Sequence, residues 1–246
     1  MIAQRTAHID TDIVTRRLLR SQRPLGRFFL NGIARADRLV ALCGLKSGPL
    51  LKRSFDVLAS LMFMIVLGPI VLVAAALVRL EDGGPAFLVQ MRVGRHGRQF
   101  KMYKLRSMVV NSDDRVRDFF SKNKHARGVT FKMQNDPRLT RVGRWIRKFS
   151  IDELPQLFNV FRGEMSIVGP RPPLPREVVQ YTAFERRRLE VTPGLTCFWQ
   201  IEGRSDLDFR EQVKLDLKYI QTQSFVGDLV ILLRTAPAVI CCRGAY

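Results

Sequence analysis

Asp152 and Glu153 are adjacent carboxylates just ahead of Pro155, in the tract Arg-Lys-Phe-Ser-Ile-Asp-Glu-Leu-Pro. An ionised carboxylate held in place is a competent nucleophile toward phosphorus, as in aspartyl-phosphate enzymes. A plainer account exists, because Ser150 and Glu153 have the spacing of a helix capping box. Pro155 weakens it. With Ser150 as the cap, Pro155 falls inside the helix, where its missing N–H and its ring disturb hydrogen bonding. A helix that starts at Asp152 or later removes the conflict. Either way the carboxylates lie at a helix N-terminus, where the positive end of the dipole favours their ionised form. The pair does not resemble that of a glycosidase, whose carboxylates face each other across a bond ~5 Å or more apart.

Cations flank this tract: Arg138, Arg141, Arg144, Arg147 and Lys148 before it and Arg171 after it. Phosphoryl chemistry needs cations on the phosphate oxygens, and the arginine fork can hold two at once. Any one of these arginines also reads as a solvated charge or a lipid-headgroup contact. Arg171 differs, because Pro170, Pro172 and Pro173 freeze the backbone around it and lower the entropy lost on presenting it to a ligand. No phosphate-binding loop of the Gly-x-x-x-x-Gly-Lys type and no dinucleotide fingerprint follows a strand. The turn from Gly94 to Gly97 reads as a hairpin turn. His8, His96 and His125 are scattered, and Cys43, Cys197, Cys241 and Cys242 form no Cys-x-x-Cys pair. That excludes a zinc site or a disulfide framework and fits a reducing compartment.

These residues need elements to position them. Apolar residues are 46% of the 246, enough for a real core, and the formal charge of +19 calls for a polyanionic partner: nucleic acid, anionic lipid or a phosphorylated substrate. Aromatics are not interleaved with the basic runs as an RNA surface requires. Residues 1–20 are polar and basic with no apolar core, so no secretory leader is expected. Val57 to Val78 carries no charge and meets the length criterion for a membrane helix. Gly68 and Pro69 sit at its centre, where the proline is expected to kink or break it. Each half would reach only about half of a ~30 Å hydrocarbon core. Lys52 and Arg53 precede the segment, and Arg79, Arg92, Arg95, Arg98, Lys101, Lys104 and Arg106 follow it. A plain span puts one basic set outside the cell, against the positive-inside tendency, whereas a re-entrant hairpin keeps both inside. On this pattern alone both topologies stay open.

Phe87 to Arg106 reads as two strands around a Gly-containing turn. Asp113 to Lys124 reads as a polar surface helix, Asn135-Asp136-Pro137 as a turn, and Thr140 to Phe149 as a short basic helix. Leu154 to Arg162 is a helix stopped by Gly163. Residues 169–175 must be extended. Glu177 to Leu189 and Phe209 to Gln221 are further helices, and Phe225 to Cys242 is a core or interfacial one.

These words in this order resemble the bacterial sugar transferase family, the monotopic polyprenyl phosphate phosphoglycosyl transferases. The resemblance rests on Lys-Arg-Ser-Phe-Asp at 52–56, Gly-Pro at 68–69, Gln-Met-Arg-Val-Gly at 90–94, and Phe-Lys-Met-Tyr-Lys-Leu-Arg-Ser-Met at 100–108. It continues through 135–172, Thr-Pro-Gly-Leu-Thr at 192–196, Trp-Gln-Ile-Glu-Gly-Arg-Ser-Asp at 199–206 and Leu-Asp-Leu-Lys-Tyr-Ile at 215–220. The likeness is strongest to members that transfer galactose phosphate to start succinoglycan-type exopolysaccharides. It implies an α+β fold, mostly helical with a small β-hairpin, in which a cytoplasmic catalytic domain stands on a re-entrant membrane helix. It implies a UDP-sugar donor, an undecaprenyl phosphate acceptor and Mg²⁺. By the same likeness Asp152, Glu153 and Asp216 are catalytic, and Asp152 and Glu153 hold the metal. Arg106, Arg138, Arg141 and Arg144, with the Pro170-Arg171-Pro172 element, bind phosphate or nucleotide. Lys52, Arg53, Asp56, Gly68 and Pro69 form the anchor. Cys197 and Phe198 depart from the family, where many members have Gly and then a bulky residue.

The expected organisation is a basic juxtamembrane arm at 1–51, a membrane helix broken at Gly68–Pro69 over 52–80, and the transferase domain at 81–246. The expected location is the cytoplasmic membrane, with anionic lipids as partners, no nucleic acid, and a homodimer compatible with the reading. Two rivals remain open: a membrane glycosyltransferase that moves only the sugar and releases UDP, and a non-enzymatic basic scaffold or nucleic-acid binder.

Overall fold

The computed structural model describes residues 48–110, 136–202 and 207–240. The expected helix at Asp113–Lys124, nearly all of the basic arm, Cys241 and Cys242 lie outside them. The chain divides into two compact units. The larger, Ser47–Gln223 with Ile231–Tyr246, holds every candidate site residue, and the second includes Ser224–Val230.

Helix α1 runs from Pro49 to Asp82, with proline in its first turn and Gly83 closing it in the left-handed conformation (φ 72°). Of the expected kink or break at Gly68–Pro69, a break is not there: the helix is continuous through Pro69. Proline removes one backbone donor and crowds the carbonyl of Ile65, a cost of roughly 3 kcal/mol. The ladder on both sides, and packing of both halves, outweigh that local cost. Asp56, Ala59 and Ser60 are buried in the first half, and Ala74, Ala75 and Val78 in the second. Small side chains there let the helix approach the domain closely. The remaining face shows Leu58, Leu61, Ile65, Val66, Ile70, Leu72, Val73 and Leu77 to the outside. Only 17% of its most apolar window is buried, so it is no ordinary core helix, and it is long and apolar enough to cross a membrane.

Strands β1 (Phe87–Val93) and β2 (Gln99–Leu105) form the expected antiparallel hairpin, in register from Phe87 opposite Leu105 to Val93 opposite Gln99. Helix α2 (Arg141–Lys148) starts at Thr140, whose Oγ1 accepts from the Gly143 N–H at 2.8 Å. A 3₁₀ turn at Ile151–Glu153 leads into α3 (Gln156–Arg162), which ends as expected on Gly163 at φ 87°. Strand β3 (Ser166–Val168) lies parallel to β4 (Gly194–Thr196), a pair not expected from the sequence. A Cβ on Gly194 would come within 2.0 Å of the Gly169 backbone nitrogen, so this crossing needs glycine.

The helix expected over Glu177–Leu189 is three short pieces: α4 (Pro175–Val179), α5 (Ala183–Arg186) and a 3₁₀ turn at Arg187–Glu190. Thr182 is the reason, because it forms a capping box with Glu185 and restarts the chain. Helices α6 (Phe198–Glu202), α7 (Phe209–Thr222) and α8 (Phe225–Ile240) complete the fold. The main core joins Ala59 of α1 to Met102, Leu157, Val160, Ile167, Tyr219 and Ile231. A second core joins Ala74, Ala75 and Val78 to Leu105, Ile146 and Ile151. At ~1.5–3 kcal/mol for each large buried apolar side chain, the two cores bind both halves of α1 to one domain. The architecture is α+β and mostly helical.

Candidate active site

Asp152 and Glu153 sit on the 3₁₀ turn between α2 and α3, after Ser150, which is left-handed at φ 56° and makes no side-chain cap. The turn is braced through Ile151, which packs in the second core beside Ile146. Asp152 is buried, while the Glu153 side chain is 33% exposed and accepts from Lys104 Nζ at 2.9 Å. Burial pushes the Asp152 carboxyl up to about 6; Lys104 opposes this and the charge of Glu153 adds to it. Burial works to raise Glu153 too, but Lys104, Arg171 and Arg147 outweigh it and hold that carboxyl below its ordinary range. The helix-dipole expectation is thus overridden at Asp152. The turn is short, and loss of water around the carboxylate is the larger effect.

Lys104 enters the sequence reading only as one of the basic residues after the membrane segment and within the 100–108 motif, with no place at the dyad. Its signal is strand parity: it shares a face of β2 with the buried Phe100 and Met102, which points it inward.

Arg171 stands on the loop after β3, and Pro170 and Pro172 beside it are buried. The loop is clamped to β1. The guanidinium of Arg92 donates to the Pro172 carbonyl at 2.9 Å, and the Val93 N–H donates to the Pro173 carbonyl at 2.9 Å. Arg92 is itself buried, and burial with the nearby charge of Arg171 lowers its pKa to about 9. Arg171 acts on Glu153 and also on Asp216, so it links the two carboxyl sites.

Asp216 is 1% exposed and pairs with Arg188 at 2.6 Å. The guanidinium of Arg188 lies over the rings of Phe209 and Tyr181, at 5.6 and 5.9 Å. Burial raises the Asp216 carboxyl against the opposing charges of Arg188 and Arg171. This is a sealed ion pair that also feels the charge of Arg171. Cys197, the departure from the family, is buried close to it, and burial with the charge of Asp216 pushes its thiol well up.

The other expected phosphate ligands are placed differently. Arg106 is buried and pairs with Asp82 at the end of α1. Arg138 is buried against Asp136 two residues away. Arg141 and Arg144 are exposed on α2. The N-terminus of α2 is already occupied by an anion: Glu81 accepts from the Arg141 N–H at 2.7 Å and the Val142 N–H at 3.2 Å. The cations felt most at the dyad are Lys104, Arg147 and Arg171.

The anchor motif is tied to this frame. Arg53 donates to the carbonyls of Val160 and Phe161, both at 2.7 Å, at the negative end of α3. Lys52 Nζ donates to the Val168 carbonyl at 3.2 Å, and Asp56 Oδ1 accepts from Ser166 Oγ and the Ile167 N–H, both at 3.0 Å.

A buried carboxylate, a second carboxylate on a lysine, and an arginine whose charge is felt at the pair are groups of the kind that phosphate chemistry uses. Residues 47–242 match the bacterial sugar transferase family. The chain belongs to this family. Proteins similar to it include exopolysaccharide production protein ExoY of Sinorhizobium fredii, 45% identical over 202 residues, which are 81% of this chain and 89% of that protein. The undecaprenyl-phosphate galactose phosphotransferase of Salmonella typhimurium is 43% identical over 204 residues, 82% of this chain but 43% of that longer protein. The undecaprenyl-phosphate glucose phosphotransferase of Komagataeibacter xylinus is 40% identical over 206 residues, 79% of this chain and 37% of the relative. The sugar transferase described here is therefore an enzyme, with membrane association matching its one long apolar helix among the described residues.

Among the described residues no three Asp, Glu, His or Cys side chains gather as a metal cage. Two carboxylates do suit magnesium, which keeps several waters and takes one or two carboxylates plus substrate phosphates.

Proposed function

We propose that this enzyme moves a sugar 1-phosphate, galactose 1-phosphate, from a UDP-sugar to undecaprenyl phosphate, releases UMP, and so begins exopolysaccharide synthesis. The observation that carries the reading is the dyad itself: a buried Asp152 beside a Glu153 that is held ionised by Lys104. With its pKa at about 6, Asp152 is mostly ionised at pH 7 and more basic than an ordinary carboxylate, which suits a nucleophile.

In the first step a carboxylate oxygen of Asp152 bonds to the β-phosphorus. The bond from that phosphorus to the bridging oxygen breaks, and UMP leaves with the electron pair. The sugar phosphate stays on Asp152 as an acyl phosphate. In the second step a phosphate oxygen of the lipid bonds to the same phosphorus, and the Asp152 carboxylate leaves. Arg171 holds phosphate oxygens that do not react, and Lys104 keeps Glu153 ionised and in place. Mg²⁺ held by Asp152 and Glu153 would neutralise charge on the donor diphosphate.

The site works at the cytoplasmic face of the membrane. Support for this comes from α1, both of whose ends are fastened to the same domain: Arg53 on α3, Glu81 on α2 and Asp82 on Arg106. A re-entrant or surface-lying helix keeps both ends on one side, with exposed Arg141 and Arg144 facing anionic lipid headgroups.

The test uses a donor labelled in its β-phosphate, without acceptor. The wild type is expected to take up label and to release up to one UMP per site, and Asp152→Asn to do neither. Release of UDP would instead establish simple glycosyl transfer. The relatives carry both galactose and glucose in their names. Turnover of UDP-glucose with none of UDP-galactose would overturn the sugar assignment.

A further inference from the structure

A cavity of about 410 Å³ lies between the middle of α1 and the start of α3. It falls within the ~300–1,000 Å³ range of small-ligand sites. Leu67, Gly68 and Leu72 of α1 line it together with Phe87 and Tyr103 of the hairpin and Pro155 ahead of α3. No charged side chain lines it. A nucleotide or a sugar placed there would leave its hydroxyls and phosphates without partners, at a cost of roughly 2–7 kcal/mol for each polar group. The occupant is therefore a hydrocarbon.

The surface of α1 around the cavity suits the same material. Ile65, Val66 and Ile70, at the same level of the helix but outside the lining, are exposed and apolar. The lining also says where the cavity leads. Leu154 and Pro155 line the cavity, and they directly follow Asp152 and Glu153 in the chain. An apolar chain with a phosphate at one end matches both.

Gly68 holds the space open. A Cβ built on it meets nothing within 4 Å, so no close approach demands a glycine there. Glycine inside a helix costs about 1 kcal/mol relative to alanine. The following Pro69 supplies one local reason for it, because a Cβ before proline crowds the helical conformation. Lining an empty apolar cavity supplies a second reason, and the two can be separated.

We infer that this cavity seats the first isoprene units of the polyprenyl phosphate acceptor, and that Gly68 keeps it open for them. The inference rests on the phosphoglycosyl reading above. The experiment compares the full-length wild type with Gly68→Ala and Gly68→Leu in nanodiscs. Both variants carry the pre-proline strain, but only leucine adds bulk. Label uptake from β-phosphate-labelled donor without acceptor reports the fold and the first step. Steady-state turnover with undecaprenyl phosphate reports the second. Gly68→Leu is expected to take up label within twofold of wild type while its acceptor KM rises about tenfold, or about 1.4 kcal/mol. Gly68→Ala is expected to stay within threefold on both. An unchanged acceptor KM in Gly68→Leu would overturn the inference and leave a bilayer acyl chain as the occupant. Equal effects of alanine and leucine, or a loss of label uptake matching the loss of turnover, would overturn it as well. If the wild type neither takes up label nor releases UMP, the phosphoglycosyl reading itself fails.

Discussion

Asp152→Asn separates activity from stability in a way that the site's electrostatics fix in advance. The folded protein raises the Asp152 carboxyl from 3.8 to about 6 because burial disfavours its charge. Below pH 4 the group is protonated in both the folded and unfolded chains, and it makes no difference. As pH rises from about 4 to 6, the unfolded chain loses its proton first, so folding stability falls through that window. Above it the deficit is constant. The gap between 3.8 and about 6, at 1.36 kcal/mol per pH unit, gives on the order of 3 kcal/mol. Asparagine keeps the shape and cannot ionise, so it recovers most of that, less the cost of an imperfectly bonded amide. The net expectation is about 2 kcal/mol of stabilisation at pH 8. For a domain of this size that is a rise of ~4–8 °C in Tm. Thermal unfolding of wild type and variant from pH 4 to pH 8.5, followed by intrinsic fluorescence, measures it. The variant should be inactive, more stable at pH 8, and equal to wild type near pH 4. A variant that is less stable at pH 8, or an offset that ignores pH, would refute the reasoning. The same titration predicts that donor-driven UMP release falls about tenfold per pH unit below 6 and is flat above it.

Glu153→Gln removes the negative partner of Lys104 and weakens what the proposed mechanism uses as a magnesium ligand, so turnover should drop at least 100-fold with an altered Mg²⁺ dependence; an unchanged metal titration would remove Glu153 from that role. Asp56→Ala strips the acceptor from Ser166 Oγ and the Ile167 N–H, two buried donors at roughly 1–3 kcal/mol each, so chemical denaturation should show a loss of ~2–5 kcal/mol. Cysteines introduced at the exposed Leu50 and Leu80 of an otherwise cysteine-free chain should both resist an impermeant thiol reagent in intact cells. Labelling of just one would establish a plain span.

What the sequence made legible is what local pattern controls. The alternation in Phe-Leu-Val-Gln-Met-Arg-Val and Gln-Phe-Lys-Met-Tyr-Lys-Leu marked the hairpin, and Gly163 marked the end of α3. The dyad stood out by its types and by its proline. Strands β3 and β4 did not stand out, because three residues carry no readable period and their pairing joins distant parts of the chain. At Pro69 a local rule allowed a kink or a break, and with packing at Ala59 and Ala74 on either side the helix runs through without a break. Local reasoning also favoured ionised Asp152 through the dipole, while burial, invisible along the chain, pushed its pKa the other way. Arg106 and Arg138 looked like phosphate ligands by type, yet each is held by a carboxylate brought to it by the fold or the adjacent turn.

The continuity of α1 sharpens the question of how it meets the bilayer. Its 34 residues amount to ~51 Å if straight, well beyond a ~30 Å hydrocarbon core. A perpendicular span would leave the two ends on opposite membrane surfaces. Yet Arg53 near one end caps α3, and Glu81 near the other caps α2, and those two helices are joined by a single turn that carries the dyad. Both ends of α1 are thus fastened to one domain, Arg53 at the end of α3 and Glu81 at the start of α2. On the proposed reading the helix lies along the domain, tilted or shallow, and turns its exposed face of Leu58, Ile65, Leu72 and Leu77 to the acyl region. The dyad then sits at a fixed height above that face, set by the two caps. Loosening either cap, by Arg53→Ala or Glu81→Ala, should let that height vary and raise the acceptor KM more than the donor KM. Equal effects on both would show that the caps serve the fold alone.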